Sequence, residues 1–397
     1  MRKFTGVLFL AFVLGGCLLP RETTKDTILK DEQLVSESIL PEEKVETTNQ
    51  LSMEDKAELL RQQQQFYAFS TLQVTEQNLY VEMLYALTGY LEEMEVSTTD
   101  TDEIDRVFQC VMLDHPEIFY ADGYSFVKYT LGEEVKKITF TGTYTVTQEE
   151  RRAREELLEQ KIAEALAGIA SDASDYDKVK YVYEWVIGNT EYDRESPDNQ
   201  NICSVFLNGR SVCQGYAKAA QLLLQRLGIP AALVTGTVEN GEGHAWNLIQ
   251  INNEYYYMDA TWGDASYLFQ NGQESRTEHL PEINYDYLCI TTQELLRTHS
   301  FGNLMPLPEC TAMEANYYVR EGAWFAQVDL EQLKSLTQRY YHEGRETMTL
   351  KCADEAVYQG MLDRLLEKQE IFDYLNPDGD SILYTDSPRQ LSITFWL

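Results

Sequence analysis

The amino-acid sequence predicts an α+β fold, in which helices and antiparallel strands occupy separate stretches of the chain. The run CQGYAKAAQLLLQRLG, from Cys213 to Gly228, has an apolar face, and Pro230 follows just beyond its final glycine, as is typical of a helix. The next segments, AALVTGTV, HAWNLIQI and EYYYMDAT, are rich in β-branched and aromatic residues and are predicted strands. Helical and strand patterns on both sides of this centre predict small flanking α/β regions.

The first residues have the pattern of an export signal. Arg2 and Lys3 precede an apolar run over 7–14 that is too short to span a bilayer, and two glycines then lead to Cys17. The order LGGC resembles the bacterial lipobox, in which the cysteine is diacylated and becomes the mature N-terminus. We expect residues 1–16 to be a lipoprotein signal peptide and Cys17 to carry the lipid, on the extracytoplasmic face of the cell membrane. The alternative is an ordinary signal peptide with an incidental cysteine.

The chain is strongly acidic, which limits its partners. Its 65 acidic and 32 basic residues give a net charge of −33, and loss of residues 1–16 would change this to −35, because Arg2 and Lys3 leave with no acidic residue. Such a surface repels nucleic acid and anionic lipid headgroups. The lipid itself must therefore hold the protein to the membrane, and because one acyl chain binds only marginally, two or more are expected.

Composition divides the mature chain into four parts. Residues 17–52 are rich in charged and hydroxyl side chains and lack aromatic residues, so they are predicted to be a disordered acidic tether. Order is expected to begin near Ser52, in the capping-box-like SMED. We expect an N-terminal α/β region at 53–170, the central domain at 171–300 and a small C-terminal α/β region at 301–397.

Periodicity places the elements of the flanking regions. A helix is predicted from Leu79 to Met94 with Thr75 as its cap, and a shorter one near Ile104 ends before Pro116. The remaining predicted elements are the strands SFVKYTL and KKITFTGTYTV, the charged helix QEERRAREELLEQKIAEAL, a helix over 176–187, the strand TMTLKC, a helix through MLDRLLEKQEIFDYL, and the strands ILYT and LSITFWL.

Seven cysteines are present, and six remain when Cys17 is set aside. An even number in an exported protein permits disulfides, but a chain of this length can bury a core without them. We expect mostly reduced, buried thiols, and Cys110 in VFQCVML has the pattern of ordinary core.

Cys213 lies at the predicted start of its helix. Unpaired N–H groups and the positive end of the helix dipole stabilise a thiolate there, and they offer a backbone donor to an oxyanion. For a cysteine taken alone, a buried structural thiol is the commoner outcome, so the argument needs a base and a residue that orients it.

The segment WNLIQI-NN-EYYYMD supplies both, because it predicts a hairpin that turns at Asn252 and Asn253, residues that tolerate positive φ. In that register Trp246 faces Asp259, and His244 lies two residues along the same face. Asp259 is then the diagonal neighbour of His244, within reach of a carboxylate–imidazole hydrogen bond. The carboxylate would fix the tautomer and leave the other ring nitrogen for the cysteine.

Cys213 in SVCQGYA, His244 in GHAWNLI and Asp259 in YYYMDATWGD together resemble the bacterial transglutaminase-like family, which is related in core fold to papain-like cysteine proteases. The resemblance covers residues 176–265. It implies that the cysteine-bearing helix packs on an antiparallel sheet bearing the histidine and the aspartate, with Cys213 as nucleophile, His244 as base and Asp259 as the residue that orients it.

Two positions depart from the family pattern. Residues 183–184 are Tyr-Glu where many members have His-Asp, and residues 262–264 are Trp-Gly-Asp where many have Trp-Asp-Asp. Neither belongs to the triad, but both are expected to alter the cleft.

Other polar and aromatic residues are weaker candidates. Gln200, Asn201 and Gln214 could supply the second oxyanion donor, although each is more commonly a loop or exposed helix residue. Trp246 and Tyr216 are candidates for the cleft wall, although core packing is their commoner fate.

Cofactor and metal sites are not predicted. His115, His279, His299 and His342 show no metal-ligand spacing and receive no role, and no glycine-rich phosphate loop is present.

Two classes of function follow. The first is acyl transfer through a Cys213 thioester, on surface proteins or cell-wall peptides. Water as acceptor would make it a peptidase or amidase, and an amine would make it a transglutaminase. The second is a binding or assembly module that keeps the fold without turnover.

Overall fold

The computed structural model describes residues 3–8, 51–131, 134–264, 281–375 and 381–397, with the backbone alone for 3–8 and 131. The lipobox with Cys17, nearly all of the predicted tether, and His279 lie outside these residues. Export, lipidation and the tether therefore stay predictions.

Groups of helices and groups of strands follow one another along the chain. The helices are α1 (Met53–Gln63), α2 (Tyr67–Thr71), α3 (Val74–Gly89), α4 (Thr101–Asp114), α5 (Gln148–Leu166), α6 (Asp175–Gly188), α7 (Cys213–Arg226), α8 (Ala260–Gly263), α9 (Thr292–Leu295), α10 (Tyr317–Arg320), α11 (Leu330–Glu343) and α12 (Glu355–Leu362). The strands are β1 (Lys3–Leu8), β2 (Met94–Val96), β3 (Ala121–Leu131), β4 (Glu134–Tyr144), β5 (Glu191–Tyr192), β6 (Arg210–Ser211), β7 (Ala231–Val238), β8 (Gly243–Ile251), β9 (Glu254–Met258), β10 (His299–Phe301), β11 (Trp324–Phe325), β12 (Thr347–Cys352), β13 (Ser381–Ser387) and β14 (Ser392–Trp396).

The strands form separate sheets along the chain. In spatial order they are β2-β4-β3 near the N-terminus, the pair β5-β6, the central sheet β10-β7-β8-β9, and the C-terminal sheet β1-β13-β14-β12-β11. The central sheet is antiparallel throughout. Helix and strand are thus mixed as the predicted α+β fold requires.

The predicted hairpin is confirmed in its register. Asn252 and Asn253 have φ of 52° and 66°, the left-handed conformation that a tight two-residue turn needs. Ile251 pairs with Glu254, and the ladder continues in the same register to Asn247 opposite Met258. This register decides which side chains near the end of β9 face those of β8.

Helix α7 is the central packing element. It lies against β7 and β8 on one side and α6 on the other, and its residues from Cys213 to Leu224 are buried with the exception of Gln214. Its apolar face removes several leucine and alanine side chains from water, and burial of each leucine contributes about 2 kcal/mol. The start of α7 is therefore held rigidly over the sheet.

Some predicted boundaries are wrong. Helix α3 begins at Val74 with Gln73 as its cap, so Thr75 lies inside the helix, and Met94 belongs to strand β2. The last helical segment begins at Glu355, earlier than its apolar pattern indicated, and continues as short π and 3₁₀ turns. Among the described residues, no helix combines the length and apolar character needed to cross a bilayer.

Candidate active site

Cys213 is the first residue of α7 and is fully buried. The loop before it is fixed by a hydrogen bond between the hydroxyls of Ser204 and Ser211, 2.6 Å apart, and by Ser211 Oγ donating to the Asn199 carbonyl at 3.1 Å. Gly215 has to be glycine here, because a Cβ would overlap with both hydroxyls. The loop can therefore press against the first turn of α7.

His244 and Asp259 form a buried pair beside this helix. His244 Nε2 donates to Asp259 Oδ2 at 2.6 Å, and the two residues are only 2% and 1% exposed. His244 is near the start of β8, and Asp259 directly follows β9. The diagonal contact predicted from the hairpin register is therefore present.

Asp259 is held as a carboxylate. Its Oδ1 accepts from the backbone N–H groups of Thr261 and Trp262, at 2.9 and 3.1 Å, so it also caps α8. Burial raises the pKa of Asp259, but the charges and hydrogen bonds of His244 and His299 outweigh burial and hold the pKa well below its usual range. The group is a fixed negative charge at neutral pH.

His299, which received no role from the sequence, is the third member of this cluster. Its Nε2 donates to the same Asp259 Oδ2 at 3.0 Å, and it is 3% exposed. It was missed because β10 joins the central sheet on the far side of β7, about 40 residues after Asp259. The only signal in the sequence is a histidine opening a short strand, which does not distinguish a site from core.

Metal binding is the other reading of this cluster, because the donor atoms of His244, Asp259 and His299 all lie within 4.8 Å of one another. A metal would need the lone pairs of both histidines aimed at one common point. Here each Nε2 instead lies at hydrogen-bond distance from Asp259 Oδ2. The contacts therefore describe a hydrogen-bonded cluster of three side chains.

Aromatic rings enclose the pair. Trp246 is fully buried and lies nearly parallel to His244, with centroids 6.0 Å apart, and edge-on to His299 at 5.0 Å. Gly236 of β7 permits this, because a Cβ there would lie 2.7 Å from the Trp246 ring. Trp246 thus packs against His244 and His299 within the core, and its place on a cleft wall stays a prediction.

Tyr216 links separate segments of the chain through its hydroxyl. Its hydroxyl donates to Asp264 Oδ2 at 2.6 Å and lies 2.8 Å from the Thr190 carbonyl oxygen. It therefore connects the first turn of α7 to the segment after α8, and it is fully buried. Its contacts favour packing over a place on an open cleft wall.

The three candidates for the second oxyanion donor differ in their contacts. Asn201 is committed to backbone groups, since its Oδ1 accepts from the Cys203 N–H at 2.9 Å. Gln214 is half-buried on α7, next to Cys213. Gln200 follows Asn199, whose carbonyl contacts the loop before α7, and its buried Oε1 has no hydrogen-bond partner among the described residues. That free atom is an acceptor, whereas an oxyanion needs an N–H donor, so it does not single out Gln200 as the second oxyanion donor.

The cysteines differ in state. Five are free and buried, as predicted: Cys110, Cys203, Cys289, Cys310 and Cys352. Burial raises the pKa of each thiol above its usual value, to about 12 for Cys110 and Cys203. Cys213 is disulfide-bonded. The role of nucleophile requires its reduced form, so that role stays a prediction.

Lys218, one turn beyond Gln214 on α7, is a buried cation. It is 6% exposed, and within the described parts of the chain it has no ion pair or hydrogen-bond partner. Burial lowers the pKa of Lys218 to about 8.

Part of the chain is similar to known proteins. The family model described as the transglutaminase-like superfamily matches residues 160–260. No curated protein sequence matches the chain. Among solved structures, the chain is similar to a TGase at 19% identity, over 41% of this chain and 50% of that one, with a TM-score of 0.27.

Two further structures are similar over part of their length. A protein of Cytophaga hutchinsonii assigned as a cysteine protease has 16% identity and a TM-score of 0.23, over 34% of this chain and 61% of that one. Menin, whose structure reveals a binding site for the Mixed Lineage Leukemia protein, has 17% identity and a TM-score of 0.23, over 50% of this chain and 43% of menin. The chain thus spans about half the length of the TGase and about three fifths of the length of the Cytophaga hutchinsonii protein. With the family match, the antiparallel sheet and the buried pair beside α7, this chain contains a transglutaminase-like domain at residues 160–260.

Proposed function

We propose that the domain catalyses cysteine-dependent acyl transfer through a thioester on Cys213, with His244 as base and Asp259 as the residue that orients it. The observation that supports this most strongly is the buried His244–Asp259 pair, 2.6 Å between Nε2 and Oδ2, next to a helix that begins at Cys213. A buried carboxylate on one ring nitrogen fixes the tautomer of an imidazole and stabilises its protonated form.

The proposed chemistry runs in two halves. Because Nε2 of His244 is engaged with Asp259, Nδ1 takes the Cys213 proton, and the thiolate attacks the carbonyl carbon of an amide. The C–S bond forms, the C–N bond breaks, and the leaving amine takes the proton from His244. Water or a second amine then loses a proton to His244 and attacks the thioester, which releases the acyl group and restores the thiolate.

The substrate class and location are further parts of the proposal. The predicted lipobox at 14–17 would place the domain outside the cytoplasm, where surface proteins and cell-wall peptide stems offer amide bonds. A net charge of −33 disfavours nucleic acid as a partner. The second candidate, a binding module without turnover, would leave the buried His244–Asp259 pair unexplained.

Turnover with defined acceptors tests this proposal. Protein treated with a reductant would be incubated with peptide and wall-fragment libraries, with and without an added primary amine. Amine found in the product would identify a transglutaminase, and amine-independent cleavage would identify a hydrolase. Reduced protein that reacts with no substrate, together with a Cys213→Ala strain that keeps the wild-type phenotype, would favour the binding module.

A further inference from the structure

One oxygen of Asp259 serves two histidines. His244 Nε2 lies 2.6 Å and His299 Nε2 lies 3.0 Å from Oδ2. Since Asp259 is ionised, both rings donate an Nε2–H to it. Its other oxygen is fixed by two backbone N–H groups, so the carboxylate cannot turn away from either ring.

The tautomer of His299 is set from its other side. Its Nδ1 lies 2.8 Å from Thr298 Oγ1. Burial lowers the pKa of His299, so the ring is neutral, with the proton on Nε2 and Nδ1 accepting from the Thr298 hydroxyl. His299 therefore delivers a fixed N–H to Asp259 rather than a mobile charge.

The chain of donors continues into the C-terminal region. Thr298 Oγ1 lies 3.5 Å from the Tyr287 hydroxyl, and Gln390 Nε2 donates to that hydroxyl at 2.9 Å. Gln390 follows β13 and is 2% exposed, and its carbonyl accepts from Arg297 at 3.2 Å. Since Gln390 donates to the Tyr287 hydroxyl, the Tyr287 O–H can donate to Thr298, and the Thr298 O–H can donate to His299, which would orient all members the same way.

The C-terminal region also holds the backbone beside Asp259. Lys351 Nζ and Ser392 Oγ both donate to the Asp286 carboxylate, at 2.8 Å each, and all three are buried. The next residue, Tyr287, accepts the Asp259 N–H on its carbonyl oxygen at 3.0 Å. The C-terminal region therefore reaches Asp259 by two routes. One runs through His299 to the carboxylate, and the other runs through Asp286 and Tyr287 to the backbone N–H.

We propose that His299 is a positioning residue of the acyl-transfer site, and that the C-terminal region controls it through Gln390, Tyr287 and Thr298. By taking part of the negative charge of Asp259, His299 keeps His244 from becoming too basic to release its proton. A base works best when its pKa lies near the working pH. The inference rests on the proposed function, and it makes residues 301–397 part of the machinery rather than a separate platform.

The other titratable groups around Asp259 do not perform this task. Burial holds the pKa of Tyr183 and Tyr287 well above the usual value and raises that of Tyr192 to about 12, so these phenols are neutral at working pH. Asp286 is paired with Lys351. Of these groups around Asp259, His299 is therefore the one that can take up part of its negative charge.

The test compares two substitutions at one position. His299→Phe removes the N–H, whereas His299→Gln keeps an N–H at a similar reach, and His342→Gln on the exposed face of α11 is the matched control. In reduced protein, the pH dependence of Cys213 alkylation by iodoacetamide would be followed by peptide mass spectrometry, beside the pH profile of turnover.

For His299→Phe we expect the acidic limb of turnover to move up by on the order of one pH unit, since a hydrogen bond to a charged group is of this size. On that limb turnover at a given pH should fall about tenfold, because a shift of one pH unit is a factor of ten. The alkylation of Cys213 should extend to lower pH, as a more stable imidazolium favours the thiolate. His299→Gln should restore all three properties.

Gln390→Glu tests the link to the C-terminal region without changing shape. A carboxylate cannot donate to Tyr287, so the Tyr287 hydroxyl would turn to the new carboxylate and stop donating to Thr298, while Lys351, 3.4 Å from Gln390 Oε1, compensates the new charge. We expect the same shifts as for His299→Phe but smaller, because hydrogen bonds in a chain strengthen one another.

The outcomes separate the two proposals. Alkylation profiles that shift in protein without turnover on any substrate would end the proposed function and keep the role of His299. If His299→Phe behaves like His342→Gln, or if His299→Gln fails to restore the profiles, the inference is overturned. Should His299→Phe not fold, Gln390→Glu decides, and a wild-type profile there would refute the link.

Discussion

The Tyr183 hydroxyl occupies the space that a side chain at Gly263 would need. A Cβ built on Gly263 would overlap with the hydroxyl and ring of Tyr183, which is fully buried and donates to the Asn284 carbonyl oxygen at 2.6 Å. Both residues are among the positions at which the sequence departs from the family pattern. The departures at 183 and 263 are therefore coupled, because the larger side chain at 183 leaves room only for glycine at 263.

This relationship predicts how the two positions respond to substitution. Gly263→Asp alone should lower the free energy of unfolding by about 1–3 kcal/mol, since overpacking a filled core forces side chains and backbone to move. The double substitution Gly263→Asp/Tyr183→His, which brings in the residues of many family members, should recover most of that loss. Urea unfolding of the two variants measures it, and equal losses would show that the positions are independent.

Lys218 predicts an unusual pH dependence of stability. Its pKa is about 8 in the folded protein against an ordinary value of 10.5, so the folded state holds the proton less tightly than the unfolded state. The penalty is fully present below pH 8 and is relieved as the pH rises from 8 towards 10.5, by on the order of 3 kcal/mol in total.

Lys218→Met keeps the length and apolar stem of the side chain and removes the buried charge. We expect this variant to be more stable than wild type at pH 7, with the difference shrinking at pH 9. Urea unfolding at both pH values provides the measurement, and Lys161→Met on the exposed face of α5 is the control. A variant less stable than wild type at pH 7 would mean that the ammonium has a stabilising partner.

The lipid anchor makes a prediction that is independent of the site. Cys17→Ser should abolish incorporation of a labelled fatty acid in the producing cell, because the thioether to the diacylglycerol forms on that sulfur. Detergent-phase partitioning provides a second readout. A Cys17→Ser protein that still enters the detergent phase with labelled lipid would show that the lipobox assignment is wrong.

The three residues of the proposed triad should act as a unit. Cys213→Ala and His244→Ala should each reduce turnover to background, and Asp259→Asn should cost on the order of 10⁴-fold, as loss of the third member does in other triads. The double variant Cys213→Ala/Asp259→Asn should be no slower than Cys213→Ala. An additive loss would show that Asp259 supports the reaction by a route that does not pass through Cys213.

The sequence predicts the parts of this site that depend on local rules. The Asn252-Asn253 turn sets the hairpin register by its backbone preference, and the register brings His244 to Asp259. His299 could not be predicted in this way, because its strand pairs with β7 after a long excursion and no local pattern reports that pairing. The contact of Tyr183 with Gly263 joins α6 to α8 and is likewise visible only in three dimensions.

The most direct test of the central claim is the thiol pKa of Cys213 in reduced protein, read from the pH dependence of iodoacetamide alkylation at that residue. The helix start and His244 should bring it well below the usual value of about 8.5, and His244→Ala should raise it again. The buried Cys110, whose pKa burial raises to about 12, serves as the internal control. A Cys213 that titrates like Cys110, with or without His244, would contradict the account.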